Sequence, residues 1–321
     1  IGDFALFVYY LGFLTEMTWM LGYIIAKYEQ TGISVDRMVT LLQGGSPRQL
    51  IERGPIYLAG QLPEIPYIAK GREHHLEELR VTGLTHQFAD STHGIQDVDF
   101  AFERGTFNVV TGRIGSGKTT LLRTLQGLLT PQSGTIHWNE KIVDDPASFF
   151  VPPRSAYTSQ IPWLFSAPLR ENLLMGMPES ETDLEAAIHA AVLEKDLVDF
   201  DDGLDTLVGP KGVRLSGGQI QRTAAARMFV RDPELYIFDD LSSALDVDTE
   251  KTLWERLFAQ RQATCLVVSH RRPALRRADQ IVVLKDGRIE DRGSLDELLE
   301  RCEEMQRLWK GDWGDETSDA E

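Results

Sequence analysis

The chain has 321 residues, room for roughly two structural units of about 150 residues each. With 42% hydrophobic and 26% charged residues it can bury a core, which excludes wholesale disorder, and its formal net charge of −16 argues against general nucleic-acid binding. Two cysteines, Cys265 and Cys302, exclude a disulfide scaffold or a cysteine-rich zinc module and read as small apolar residues in a reducing compartment.

The first element is an apolar run from Phe4 to Ala26 whose only charge is Glu16. Its 23 residues would span about 34 Å as a helix, against a bilayer core of roughly 30 Å. The run is too long for a signal peptide and lacks a basic leader and a cleavage site, so it is predicted to cross a membrane; the alternative is a buried soluble helix. Glu16 should then face other helices or a cavity. Lys27 and Arg37 place the downstream side in the cytoplasm. Val35, Met38, Leu41 and Leu42 carry the helical period onward, and Gly44-Gly45-Ser46-Pro47 ends it.

A linker follows to about Glu78, with Pro47, Pro55, Pro63 and Pro66. His74-His75 lies in it beside acidic residues; solvated side chains are expected there rather than a metal site. The predicted units are 1–44 (membrane helix and extension), 45–78 (linker), 79–310 (α/β domain) and 311–321, a tail with five acids and no base.

In the α/β domain, β-branched runs alternate with helical stretches: 107–111 then 119–129, 235–238 then 247–260, then strands at 265–269 and 281–284. This alternation predicts a mainly parallel sheet with helices on it. Gly112-Arg113-Ile114-Gly115-Ser116-Gly117-Lys118-Thr119 fits the phosphate-loop pattern and joins a strand to a helix. Successive backbone N–H groups, extending to Thr120, and the helix N-terminus would wrap phosphates. Lys118 would meet the β and γ phosphates, and the Thr119 hydroxyl would ligate Mg²⁺. Leu235-Tyr236-Ile237-Phe238-Asp239 is an apolar strand that delivers a carboxylate at its tip, as the metal site of a phosphate-loop ATPase needs.

Leu215-Ser216-Gly217-Gly218-Gln219 lies about twenty residues before that strand. In that position it resembles the signature of ATP-binding cassette (ABC) proteins. The resemblance covers Leu79 to about Trp309 and implies a phosphate-loop cassette with a mainly parallel sheet and a helical subdomain. It implies that Ser216, Gly217, Gly218 and Gln219 grip the γ-phosphate of an ATP held by an opposite cassette. Gln160 resembles the glutamine that joins the metal site to the membrane domain. Thr206 to Gly212 is similar to the pre-signature loop of exporters, and Ser243-Ala244-Leu245-Asp246 to the loop that meets the other cassette. His270 matches the switch histidine, and Phe88 sits where an aromatic stacks on adenine. Trp163, Leu164 and Phe165 are candidates either for a groove that receives membrane-domain coupling helices or for cassette core. Upstream, residues 4–44 look like the last membrane helix of an exporter-type half-transporter. The family's membrane domain has more helices than this one, and a chain opening on Ile1 fits a C-terminal piece of such a protein.

One position departs from the pattern. The residue after Asp239 is normally Glu, which polarises the attacking water; here it is Asp240, one methylene shorter. A general base must lie within about 2.6–3.2 Å of its proton or act through one water, so slow hydrolysis is expected. The resemblance implies ATP and Mg²⁺ as cofactors, and as partners a second half-transporter, membrane lipid and an unidentified exported substrate, but no nucleic acid. The partner half is either an identical copy or, favoured by Asp240, a different one that carries Glu. The alternatives are a nucleotide-clamping subunit with a degenerate site, or a soluble ABC ATPase outside transport.

Overall fold

A computed structural model describes residues 2–42, 46–54, 67–88, 93–260 and 263–311. The chain divides into two compact units, Ile1–Glu64 and Ile65–Glu321. In the first, Gly2–Leu41 is one 40-residue helix, about 60 Å long at 1.5 Å per residue. By length and composition it can cross a membrane. Its apolar side chains are exposed. The hydroxyls of Thr15, Thr18 and Thr31 donate to carbonyls four residues back, each at 2.8 Å, so these polar groups are satisfied within the helix itself. Helical structure reaches Leu41, with Leu42 in the following turn; the expected Gly44-Gly45 terminator lies outside the described residues, as do Pro55, Pro63, Pro66 and most of the acidic tail. Ser46 caps a short 3-10 turn, Pro47–Leu50, by accepting from the Arg48 amide at 3.3 Å.

The second unit holds two main sheets. The strands in chain order are β1 (Glu78–Gln87), β2 (Gly94–Glu103), β3 (Phe107–Gly112), β4 (Ser133–Trp138), β5 (Lys141–Ile142), β6 (Ser155–Thr158), β7 (Ala167–Pro168), β8 (Leu207–Val208), β9 (Leu235–Asp239), β10 (Thr264–Val268), β11 (Gln280–Lys285) and β12 (Arg288–Gly293). A six-stranded sheet runs β12-β11-β3-β10-β9-β6, parallel except for the edge strand β12. A four-stranded antiparallel sheet runs β2-β1-β4-β5.

The apolar runs of β3, β9 and β10 are continuous because both faces of the large sheet are covered. Side chains alternate across a strand. Val109, Phe238, Val267 and Val283 therefore enter a core with the helices Leu169–Leu174, Leu184–Ala190 and Gly217–Arg231. Val110, Ile237, Leu266 and Val282 enter a second core with the antiparallel sheet and the helix Lys118–Leu125. Cys265 and Cys302 are buried and unbridged, and burial pushes the Cys265 thiol pKa far up, so it behaves as an apolar side chain.

Two expectations are corrected. The helix predicted over 119–129 stops at Leu125: Gln126 Nε2 donates back to the Leu122 carbonyl at 2.9 Å, and Gly127 turns left-handed at φ 71°. His74 is not solvated; it is buried, and its Nδ1 accepts from the Gly71 amide at 2.9 Å. The cause is that this stretch packs onto the α/β unit. Leu76 is buried and its amide donates to Glu234 Oε2 at 3.1 Å, while the His75 carbonyl accepts from Trp138 and Asn139.

Candidate active site

Parallel register brings the chemistry to one edge. Val268 of β10 pairs with Asp239 of β9, and Leu284 of β11 pairs with Gly112 of β3, so the strand ends that carry the phosphate loop, Asp239 and the Ser269-His270 turn lie together. The loop is packed too tightly for side chains at its back. A Cβ on Gly117 would stand 2.8 Å from the Gly94 carbonyl, and one on Gly287 would stand 2.6 Å from the same oxygen. Gly117 also has φ 99°, which a residue with a side chain rarely adopts.

Lys118 Nζ donates to the carbonyls of Gly112 at 2.8 Å and Arg113 at 2.6 Å. Burial lowers its pKa, while the charges of Asp240 and Asp239 work to keep the ammonium protonated. Thr119 Oγ1 donates to Asp239 Oδ1 at 3.1 Å. Asp239 is buried, which pushes its pKa up against hydrogen bonds from Thr119 and Tyr157 and the charges of Arg123 and Lys118. His93, Gly94, Gly115, Gly117, Lys118, Thr119 and Thr120 line a cavity of ≈ 250 Å³ at the loop. Ile114 is exposed and Ser116 buried. Phe88 is half exposed beside this region, its ring edge-on to His86 at 5.0 Å.

Asp240 follows with a left-handed backbone, φ 53°. Its carboxyl is buried and its pKa raised; the Asp239 charge adds to this, and His270, Arg271 and a hydrogen bond with Gln160 oppose it. Its Oδ1 is buried without a hydrogen-bond partner among the described residues. A buried carboxylate oxygen without a donor, near the Lys118 charge, suits a site that takes a ligand. The oxygen donors of Thr119 and Asp239 match a hard divalent cation. Gln160 and His270 are exposed at the rim of the same edge.

The Ser216 segment is built differently. Ser216 caps the helix Gly217–Arg231 in a reciprocal box: its Oγ accepts from the Gln219 amide at 3.2 Å, and its own amide donates to Gln219 Oε1 at 2.8 Å. Arg222 pairs with Asp196 at 2.7 Å behind it. Gly217 and Gly218 abut the 241–246 turn, with Cβ positions 3.3 Å and 3.1 Å from Ala244 atoms. This terminus opens onto another cavity, a groove of ≈ 660 Å³ lined by Ile161, Trp163, Leu164, Pro210, Val213 and Ile220 among others. Trp163 and Phe165 are exposed, whereas Leu164 packs on the core. The structure thus joins Lys118, Thr119, Asp239, Asp240 and Gln160, and separately joins the Ser216 terminus to the 241–246 turn.

Sequence reasoning missed the groups behind Asp239. Tyr157 of β6 donates to Asp239 Oδ2 at 3.3 Å and interacts with Arg123; burial, and then the Asp239 charge, push its hydroxyl to about 12. Arg271 donates to the Leu245 carbonyl at 2.7 Å and meets buried Glu250 at 3.4 Å. These pairings join distant segments and leave no local pattern. The Ser216–Gln219 box was legible as Ser-x-x-Gln before a helix.

Residues 95–243 match the family model described as ABC transporter. The chain is 37% identical over 213 residues to an ATP-dependent lipid A-core flippase of Burkholderia thailandensis, covering 66% of this chain and 36% of that protein. It is 34% identical over 226 residues to ATP-binding cassette sub-family C member 4 of Homo sapiens, covering 70% of this chain and 16% of that protein. The chain thus spans well under half the length of these relatives. A solved bacterial Atm1-family ABC exporter with ATP bound shares the fold at TM-score 0.70 and 24% identity, over 91% of this chain and 48% of that one. The second unit therefore carries an ABC transporter ATPase domain, matched over residues 95–243.

Proposed function

We propose that this chain binds and hydrolyses ATP to power export across a membrane, as one half of a two-cassette transporter. The observation that carries this reading is the pairing of a complete phosphate-loop edge with a capped, exposed Ser216 terminus that opens onto a different cavity. Each half of a nucleotide pocket is present, and the two open onto different cavities, so a second cassette would complete both. Lys118 and the loop amides would hold the phosphates, and Phe88 would stack on adenine. Thr119, Asp239 and Gln160 would hold Mg²⁺, which would supply positive charge against the negative charge of the phosphates. His270 would sense the γ-phosphate from the rim. Asp240 would take the proton of the attacking water, directly or through a second water. Ser216, Gly217, Gly218 and Gln219 would close on the γ-phosphate of the opposite site. Nucleotide favours closure because its phosphates meet both halves only then. The groove at Trp163 and Leu164 would receive coupling helices of the membrane domain, and Gly2–Leu41 would be that domain's last helix, its downstream end in the cytoplasm. Substrate and lipid contacts belong to membrane helices of the whole transporter.

Asp240 favours a second reading, a clamping subunit paired with a different half-transporter. Its carboxyl is one methylene shorter than the Glu the pattern expects, so its reach to the attacking water is the weak point. The experiment for the main reading is Lys118→Ala in the full chain reconstituted in lipid with its partner half. ATP binding at this site and the turnover that depends on it should fall by at least about a hundredfold. Unchanged affinity and turnover would overturn the assignment.

A further inference from the structure

Arg113, the second residue of the phosphate loop, does not line the loop's cavity. Its side chain meets the C-terminal helix Glu303–Lys310 instead. Arg113 Nε donates to Glu304 Oε1 at 2.5 Å, and Nη2 reaches Oε2 at 3.4 Å, across 191 residues of sequence. Glu304 is only 2% exposed, and its neighbours Met305 and Leu308 are fully buried, so the helix that carries it is fixed to the core. At its other end, the Arg113 carbonyl accepts from Lys118 Nζ at 2.6 Å. One loop residue therefore links a buried carboxylate to the lysine that faces the cavity. A buried carboxylate stripped of its partner is strongly unfavourable, so the docked helix holds Arg113 in this pose.

We infer that Glu304 is a positioning residue for the phosphate loop: it anchors the Arg113 side chain, thereby fixes the Arg113–Lys118 turn, and sets the affinity for the nucleotide's phosphates. The Glu303–Lys310 helix is then a handle on ATP binding, and whatever displaces it weakens that binding. The inference rests on the proposed role of the loop, and the experiment separates the two. ATP binding is measured by calorimetry on the full chain in lipid nanodiscs, with Glu304→Gln, Arg113→Gln, the double variant and Met305→Ala. Glu304→Gln should weaken ATP binding roughly three- to tenfold. The double variant, which leaves no buried charge unpaired, should bind no worse than the weaker single variant, because the two residues act as one unit. Met305→Ala removes packing from the same helix but not the ion pair; it should lower the unfolding temperature and leave affinity within about twofold. Unchanged or tighter binding in Glu304→Gln, additive losses in the double variant, or an equal affinity loss in Met305→Ala would each overturn the inference. If the unaltered chain binds no ATP, the proposed function fails first and this inference with it.

Discussion

The phosphate loop and the Ser216 terminus are both helix N-termini suited to an anion, yet they are finished to different degrees. The loop is surrounded by its own chain: Lys118 rests on loop carbonyls, Thr119 is bonded to Asp239, and Tyr157 holds the far oxygen of that carboxylate. The Ser216 terminus satisfies the Ser216 and Gln219 amides through its own capping box, and Ser216 and Gly217 are exposed. Under the proposed function, a fully equipped site and a barer one, opening onto separate cavities, suit a two-copy machine: the loop would supply affinity, and the exposed terminus dependence on a partner.

The comparison breaks if disabling the two termini has the same effect on a single chain. Ser216→Arg fills the exposed terminus with a cationic side chain. Turnover of the assembled transporter should drop roughly tenfold or more, while calorimetry on the separate chain should show ATP affinity close to that of the unaltered chain. A parallel loss of affinity would mean that the two termini act within one chain. Asp240→Glu restores the missing methylene; steady-state ATPase should rise several-fold, or about 1 kcal/mol in barrier, if reach limits the chemistry. A flat or lower rate would leave Asp240 outside the rate-limiting step.

Glu234→Gln sharpens the comparison by disturbing neither terminus. Burial would raise the Glu234 pKa, but the Lys70 ammonium, the Leu76 amide and Arg104 outweigh it and hold the carboxyl below its usual range. A depressed folded-state pKa stabilises the protein above the unfolded value, near 4.3, and that contribution is lost as pH falls through the lower folded value. Replacement should cost about 1–3 kcal/mol at pH 7, and the difference in unfolding temperature should shrink below about pH 4. A difference that grows in acid would contradict the ion-pair account. The smallest expected effect is Ser216→Ala, which removes one side-chain acceptor from the helix start; chemical denaturation should register about 1 kcal/mol.

What could be read in advance followed how local the physics is. The phosphate loop, the Asp239 strand and the Ser216 segment each need particular residues at fixed spacing, so their chemistry is visible in a short window. The parallel sheet was visible because β3, β9 and β10 are buried on both faces and read as unbroken apolar runs. The antiparallel sheet β2-β1-β4-β5 was not, since its strands mix apolar and polar residues around irregular registers at Val81 to His86. His74 is buried although the segment reads as a proline-rich linker, because the stretch is tied down by distant partners such as Glu234, which accepts from the Leu76 amide 158 residues earlier in the chain. Tyr157 and Glu304 likewise acquire their positions from strands and helices distant in sequence, and no spacing rule reaches that far.

The backbone crossing at Gly94 has a consequence for anyone charting tolerance to change. Gly117 and Gly287 press on one carbonyl oxygen from two directions, so larger residues at either place would pry the antiparallel sheet off the nucleotide edge. A saturation scan scored by growth would rank Gly287 beside Lys118, although it lies in the turn between β11 and β12 and outside the residues that line the loop's cavity. Reading that ranking as a map of ligand contacts would mistake a structural keystone for a binding group, and a compound designed to engage it would find only main chain.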